Sequence, residues 1–162
     1  MSEPITIRRA VIADAEGICA AHIASIRDVC ARDYEPHEIA AWLANKTPSL
    51  YHNYIEKFDF WVATAGDRIA GFIDMHPGPR EDEAEIGGLY LHPDFIGRGV
   101  GAMLMSKMLD LARARQVKHM LVFATRTARP FYERTGFRVV APHEHIASTG
   151  VRIPSWRMEM EV

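Results

Sequence analysis

Leu89-Tyr90-Leu91-His92-Pro93-Asp94-Phe95-Ile96-Gly97-Arg98-Gly99-Val100-Gly101-Ala102 decides how this chain folds. A strand runs into a short Pro-containing turn, and a glycine loop then opens directly into an amphipathic helix. Glycines at 97, 99 and 101 lack the Cβ that would hold a ligand away from the main chain. The helix that starts there points unpaired N–H groups and its positive dipole end into the loop, which favours phosphate. The spacing G-x-G-x-G is neither the dinucleotide fingerprint G-x-G-x-x-G nor a P-loop ending in Lys-Ser/Thr. The stretch reads as a pyrophosphate cradle of a different kind.

The flanking sequence supplies the elements around it. Ile5-Thr6-Ile7-Arg8-Arg9 alternates as a first strand. Asp14 is placed to cap a helix with Ile18, His22, Ile26 and Val29 on one face. Pro36 opens a second helix carrying Ile39, Trp42 and Leu43, and Thr47-Pro48 a short third one. Residues 58–65 and 68–75 form a hairpin about Gly66-Asp67, and His76-Pro77-Gly78-Pro79 reads as a break. Residues 83–92 are the strand feeding the loop, and 101–115 the helix after it. A strand at 118–124, a short helix at 128–134 stopped by Gly136, and strands at 137–140 and 155–162 complete the order. The pattern predicts a mixed α/β (α+β) domain spanning 1–162.

Composition narrows the class. The chain has 162 residues, 48% apolar and 25% charged, with a formal net charge of −2. That length suits one well-cored domain. The charge offers no bulk attraction to nucleic acid or to an anionic membrane, and neither is expected as a partner. No apolar run reaches membrane-spanning length, and residues 1–10 lack a signal peptide's apolar core, so a cytoplasmic location is expected. Cys19 and Cys30, the only cysteines, fall on one predicted helix and read as small buried hydrophobes.

The glycine loop resembles that of the GNAT superfamily of acetyl-CoA-dependent N-acetyltransferases, whose pattern is Gln/Arg-x-x-Gly-x-Gly/Ala. Here Ile96-Gly97-Arg98-Gly99-Val100-Gly101 matches at the closing glycines, with Ile96 where the family has a polar residue. A second segment, Pro130-Phe131-Tyr132-Glu133-Arg134-Thr135-Gly136-Phe137, is similar to the family's P-F-Y-E-x-x-G-F. The resemblance implies a central, mostly antiparallel sheet of six or seven strands flanked by about four helices. It also implies acetyl-CoA as co-substrate, without a metal. Gly97, Arg98, Gly99, Val100, Gly101 and Ala102 would cradle its diphosphate. Leu89 and Leu91 would offer main-chain groups to the pantetheine arm, where the central strand splays from its neighbour. Thr127 stands where the family often has an asparagine.

Acetyl transfer to an amine needs a neutral nucleophile, because an alkylamine of pKa ~10.4 is almost wholly protonated at neutral pH. It also needs an oxyanion stabilised and a departing thiolate protonated. Glu85, two residues before Gly87-Gly88, sits where some family members place a glutamate base; its other reading is a solvated acidic strand entry with Glu81, Asp82 and Glu83. Paired glycines in a strand suit a bulge or a close approach. Tyr132 aligns with the family's proposed general acid, and otherwise reads as a core tyrosine. Arg98 and Arg129 are candidates for phosphate contacts or plain surface charges.

By resemblance the acceptor pocket lies between the first two helices and the last strands, with Tyr34, His37 and Trp42 on one side and His143, Glu144 and His145 on the other. His143 and His145 read as proton relay, strand-end residues or, least of the three, metal ligands, since further ligands are missing. The expected activity is acetyl transfer from acetyl-CoA to a primary amine by direct attack in a ternary complex. A small-molecule amine is the first choice of acceptor, a protein amine the second, and a homodimer is open. The alternative is an acyl-CoA sensor or interaction module on the same fold. A dinucleotide oxidoreductase fails on the glycine spacing.

Overall fold

In the computed structural model, which describes residues 3–162, the alternating segments lie side by side in one seven-stranded sheet. The strands are β1 (Ile5–Arg9), β2 (Asp59–Ala65), β3 (Arg68–Pro77), β4 (Glu83–Leu91), β5 (His119–Thr125), β6 (Arg138–Ile146) and β7 (Arg152–Glu161). Their order is β1-β2-β3-β4-β5-β7-β6. Every neighbouring pair is antiparallel except β4 and β5. Among the described residues five α-helices accompany the sheet, in keeping with the expected mixed, mostly antiparallel architecture: α1 (Ala15–Asp28), α2 (Pro36–Leu43), α3 (His52–Lys57), α4 (Val100–Ala114) and α5 (Arg129–Thr135).

Side chains alternate across a strand, so consecutive residues serve opposite faces. Ile73 packs with Leu104, Met105 and Met108 of α4, whereas Phe72 packs with Ile18 and Cys19 of α1. A third cluster joins Ile26, Ile39 and Trp42 to Ile153 of β7. Burying a side chain of this size stabilises by roughly 1.5–3 kcal/mol, which fixes the helices against the sheet.

Several expectations are corrected at element ends. His76 and Pro77 belong to β3 and not to a break, and the chain turns after them. β6 runs on to Ile146, absorbing His143-Glu144-His145. It is an edge strand, where Pro142 costs no ladder bond, and a bulge after Val139 resets its register. Asp14 makes no side-chain cap to α1; its carboxylate accepts the Val11 N–H at 2.8 Å and two Arg8 guanidinium N–H bonds at 2.7 and 2.9 Å. α1 ends at Asp28, so Val29 and Cys30 lie beyond it. Among the described residues no helix is long and apolar enough to cross a membrane.

Two irregularities make room for a site. β4 and β5 are paired only from Glu83–Ile86 against His119–Val122. Past Ile86, β4 keeps its ladder with β3 and β5 keeps its ladder with β7, but no ladder joins the two. That leaves a notch in the middle of the sheet. In the β3–β4 ladder Met75 faces Ile86 and Asp74 faces Gly88, so Gly87 is the extra residue of a bulge.

Candidate functional site

At the mouth of the notch the glycine loop joins β4 to α4. Gly97 and Gly99 have φ of +81° and +76°, a region closed to most side chains. A Cβ on either would meet no protein atom within 4 Å, so the space beside the loop is open. Val100 is buried and anchors the first turn of α4. The N–H groups of the first helical residues have no intrahelical acceptor, and α4 is 15 residues long, so the loop has the donors and dipole that a diphosphate requires. Ala102 is exposed on that turn, and Ile96 is 49% exposed where a polar side chain had been the family pattern. Arg98 has protein partners of its own. Its guanidinium lies over the Phe95 ring at 5.2 Å and donates to the Glu3 carbonyl at 3.2 Å. Its backbone remains in the loop. Leu89 and Leu91 pair with Ile73 and Gly71 on one side and border the notch on the other.

The second motif meets the first in space. A Cβ on Gly101 would come 3.2 Å from the Phe131 ring, so the glycine lets α4 pack closely on α5. Tyr132 is 2% exposed, edge-on to Phe131 and Phe137 with centroids 5.5 and 5.4 Å away. Burial, and then the charge of Asp74, push its hydroxyl pKa upward, which keeps the proton on the phenol. Thr127 donates to Asp33 Oδ2 at 2.7 Å, so its hydroxyl is directed at Asp33. Arg129 pairs with Glu133 at 3.0 Å and stacks over Trp156 at 4.8 Å.

Behind the notch lies a cavity of about 400 Å³. Tyr34, Trp42, His143 and His145 line it, as does Glu85. His37 and Glu144 do not: His37 is exposed, and Glu144 pairs with Arg152 at 3.3 Å on the outer side. Tyr34 contributes its ring. Its hydroxyl donates to the Pro154 carbonyl at 2.6 Å and accepts the Arg126 N–H at 2.9 Å, tying β7 to the turn after β5. Trp42 stands edge-on to Tyr34 at 5.4 Å, and His143 lies 4.1 Å from the Phe123 ring. Burial, then Lys46 and His143, lower the pKa of His145.

Two acids and an imidazole form the polar end. Asp74 is buried and hydrogen-bonds to His76 Nε2. His76 is stacked on Phe58 at 3.9 Å. Burial disfavours its charged form, but Asp74 and Glu85 outweigh that and raise its pKa. Burial also raises the pKa of Glu85, against the pull of His76, His143 and Arg157 and with a further push from Asp74. The sequence reading missed Asp74 and His76. An aspartate inside the otherwise apolar Gly71-Phe72-Ile73-Asp74-Met75 was the available signal, since a buried carboxylate must have a partner. Among the described residues no group of three or more His, Cys, Asp and Glu is arranged to hold a metal ion.

This fold and cradle have close counterparts. Residues 30–162 match the family described as Acetyltransferase (GNAT) domain. The chain belongs to the GNAT acetyltransferase family. It is 29% identical over 136 residues to the uncharacterized N-acetyltransferase YafP of Escherichia coli (strain K12), covering 84% of this chain and 83% of that one. A GCN5-related N-acetyltransferase from Rhodopseudomonas palustris superposes with a TM-score of 0.88 at 25% identity, covering 100% of this chain and 98% of its own. The PaiA N-acetyltransferase of Thermoplasma acidophilum, solved in complex with coenzyme A, gives 0.79 at 21% identity, over 98% and 99%. The GNAT sheet, with its parallel β4–β5 junction, is thus the frame of an acyltransferase.

Proposed function

We propose that the protein moves the acetyl group of acetyl-CoA to a primary amine held in the cavity, by direct attack in a ternary complex. The observation that carries this is the common wall: the notch with its glycine cradle and the cavity with Glu85 share β4. Acetyl-CoA supplies the activated acyl group. The open, positive-φ loop at Gly97–Gly99 suits its diphosphate, and the solved PaiA relative holds coenzyme A.

The residues then divide the proton work. Glu85, made more basic by burial, takes the proton of the incoming ammonium. Asp74 fixes His76 through its Nε2, and the pair sets the charge beside Glu85. The amine nitrogen forms the new bond to the acyl carbon, the carbon–sulfur bond breaks, Tyr132 gives its phenolic proton to the departing sulfur, and the second proton leaving the nitrogen restores the phenol. Two features support direct transfer. Burial pushes the Cys19 thiol up and the Cys30 thiol up to about 11, so neither is a thiolate nucleophile.

Thiol release from acetyl-CoA, followed with a panel of primary amines, tests the reading. Amine-dependent release that falls with Glu85→Gln is expected. Tight acetyl-CoA binding with no amine-dependent release would instead identify an acyl-CoA sensor.

A further inference from the structure

The acceptor cavity holds a charge that the transfer itself does not use. Lys46, in the turn after α2, is partly buried and is the one Lys or Arg among the described residues that line the cavity. Its ammonium donates to Asn45 Oδ1 at 2.9 Å. Burial weakens its hold on the proton, and no Asp or Glu among the described residues offsets that loss. Beside it, His22 has Nδ1 2.8 Å from the Tyr51 hydroxyl, and its buried Nε2 has no hydrogen-bond partner among the described residues. Burial and then Lys46 keep this imidazole neutral, its pKa down to about 3. The ring is therefore an uncharged neighbour of Lys46 and supplies no counter-charge to its ammonium. This corner therefore offers donors and lacks an anion.

The opposite end has the reverse character. Glu85 faces His76 in the β3–β4 ladder with Asp74 beside them, whereas Tyr90, five residues further along β4, has its ring 4.1 Å from that of His22 in the Lys46 corner. The rings of Trp42, Phe72, Tyr90 and Phe123 line the cavity with them. An apolar wall with an acidic end and a cationic end matches a molecule bearing both charges, one at each end of an apolar body.

Resting on the acetyl-transfer reading above, we propose that the acceptor is an amine with a carboxylate at the far end of an apolar, aromatic-sized body, its nitrogen at Glu85 and its carboxylate on Lys46. A charge-assisted bond in this partly apolar setting is short and strong. A diamine of the same length would set its second ammonium against Lys46 and is rejected by like charge.

Three probes of one shape separate the possibilities: 4-(aminomethyl)benzoate, its carboxamide, and p-xylylenediamine. Thiol release from acetyl-CoA should show kcat/KM for the benzoate roughly tenfold or more above that for the other two, as expected for a bond to a charged group. Lys46→Met should bring the benzoate-to-carboxamide ratio close to one, and Lys46→Arg should keep most of it. A wild-type ratio near one, or a ratio that survives Lys46→Met, overturns the proposal. Calorimetric titration of 4-methylbenzoate, which has no amine, reads the corner without turnover. Binding that weakens roughly tenfold in Lys46→Met is expected, and no binding to the wild type overturns it. If 4-methylbenzoate binds but no amine releases thiol, the transfer reading fails and the carboxylate site stands.

Discussion

Gly87 and Asp74 occupy complementary space: a Cβ at 87 would overlap the Asp74 carboxylate, with its Cγ and His76 Nε2 each 2.8 Å away. The absent Cβ leaves room for a buried acid and its imidazole against the bulged backbone of the strand that carries Glu85. Gly87→Ala should push the pair aside, lowering kcat/KM for acetyl transfer by roughly 10- to 100-fold through misplacement. It should cost about 1–3 kcal/mol by overpacking, read in denaturant unfolding. Unaltered turnover would detach Asp74 and His76 from the chemistry.

Because Glu85 must be ionised to accept a proton, activity should fall as pH drops through its pKa, which burial holds above the ordinary carboxylate value. The acid limb of the kcat/KM profile should therefore lie above that of a free carboxylate and vanish in Glu85→Gln. His76 favours the Glu85 carboxylate. Removing it with His76→Asn should move the limb to higher pH, and a shift to lower pH would contradict the pairing.

Tyr132→Phe preserves the ring that packs against Phe131 and Phe137. It should lower kcat by ~10²-fold, the usual worth of a positioned acid. Coenzyme affinity measured by calorimetry should stay largely intact. Turnover equal to wild type would remove the phenol as acid.

Gly99 is held at a φ of +76° with open space where a side chain would go. Gly99→Ala should cost about 1–2 kcal/mol of stability from backbone strain alone. Gly99→Asp adds a negative charge to the loop and should abolish coenzyme A binding. Binding that survived the aspartate would place the diphosphate elsewhere.

His22 ties stability to pH. Its folded pKa of about 3 lies below the unfolded value of ~6.5. As pH falls below the unfolded value, the unfolded chain takes up a proton that the folded one refuses. Stability should drop by about 1.4 kcal/mol per pH unit through that window. His22→Gln should flatten this slope in urea titrations at pH ~6.5 and ~4.5.

Both motifs and the order of elements were legible because each is local. Gly99 answers to its own φ, and α4 to its own periodicity. The bulge at Gly87-Gly88 was also readable, since paired glycines inside a strand need a reason. What sits against them was not, because Asp74 reaches Gly87 only through the register of β3 on β4. Pro77 suggested an early end to β3 and so hid His76. Arg98 was open between a phosphate contact and a surface charge, and its contacts with Phe95 and Glu3 follow from the fold alone. Lys46 carries no motif, and only the fold places it in one cavity with the rings of His22, Phe72 and Tyr90.

The junction of β4 and β5 is four residue pairs long, so the seven strands are in effect two smaller sheets stitched at one end. A molecule lying in the open seam would act as a missing rung between them. Loading it should slow amide exchange along β4 and β5 and raise the melting temperature with the logarithm of its concentration. Proteases sample the opened form, so the empty protein should be cut faster than the loaded one. Cellular lifetime would then follow the supply of the thioester.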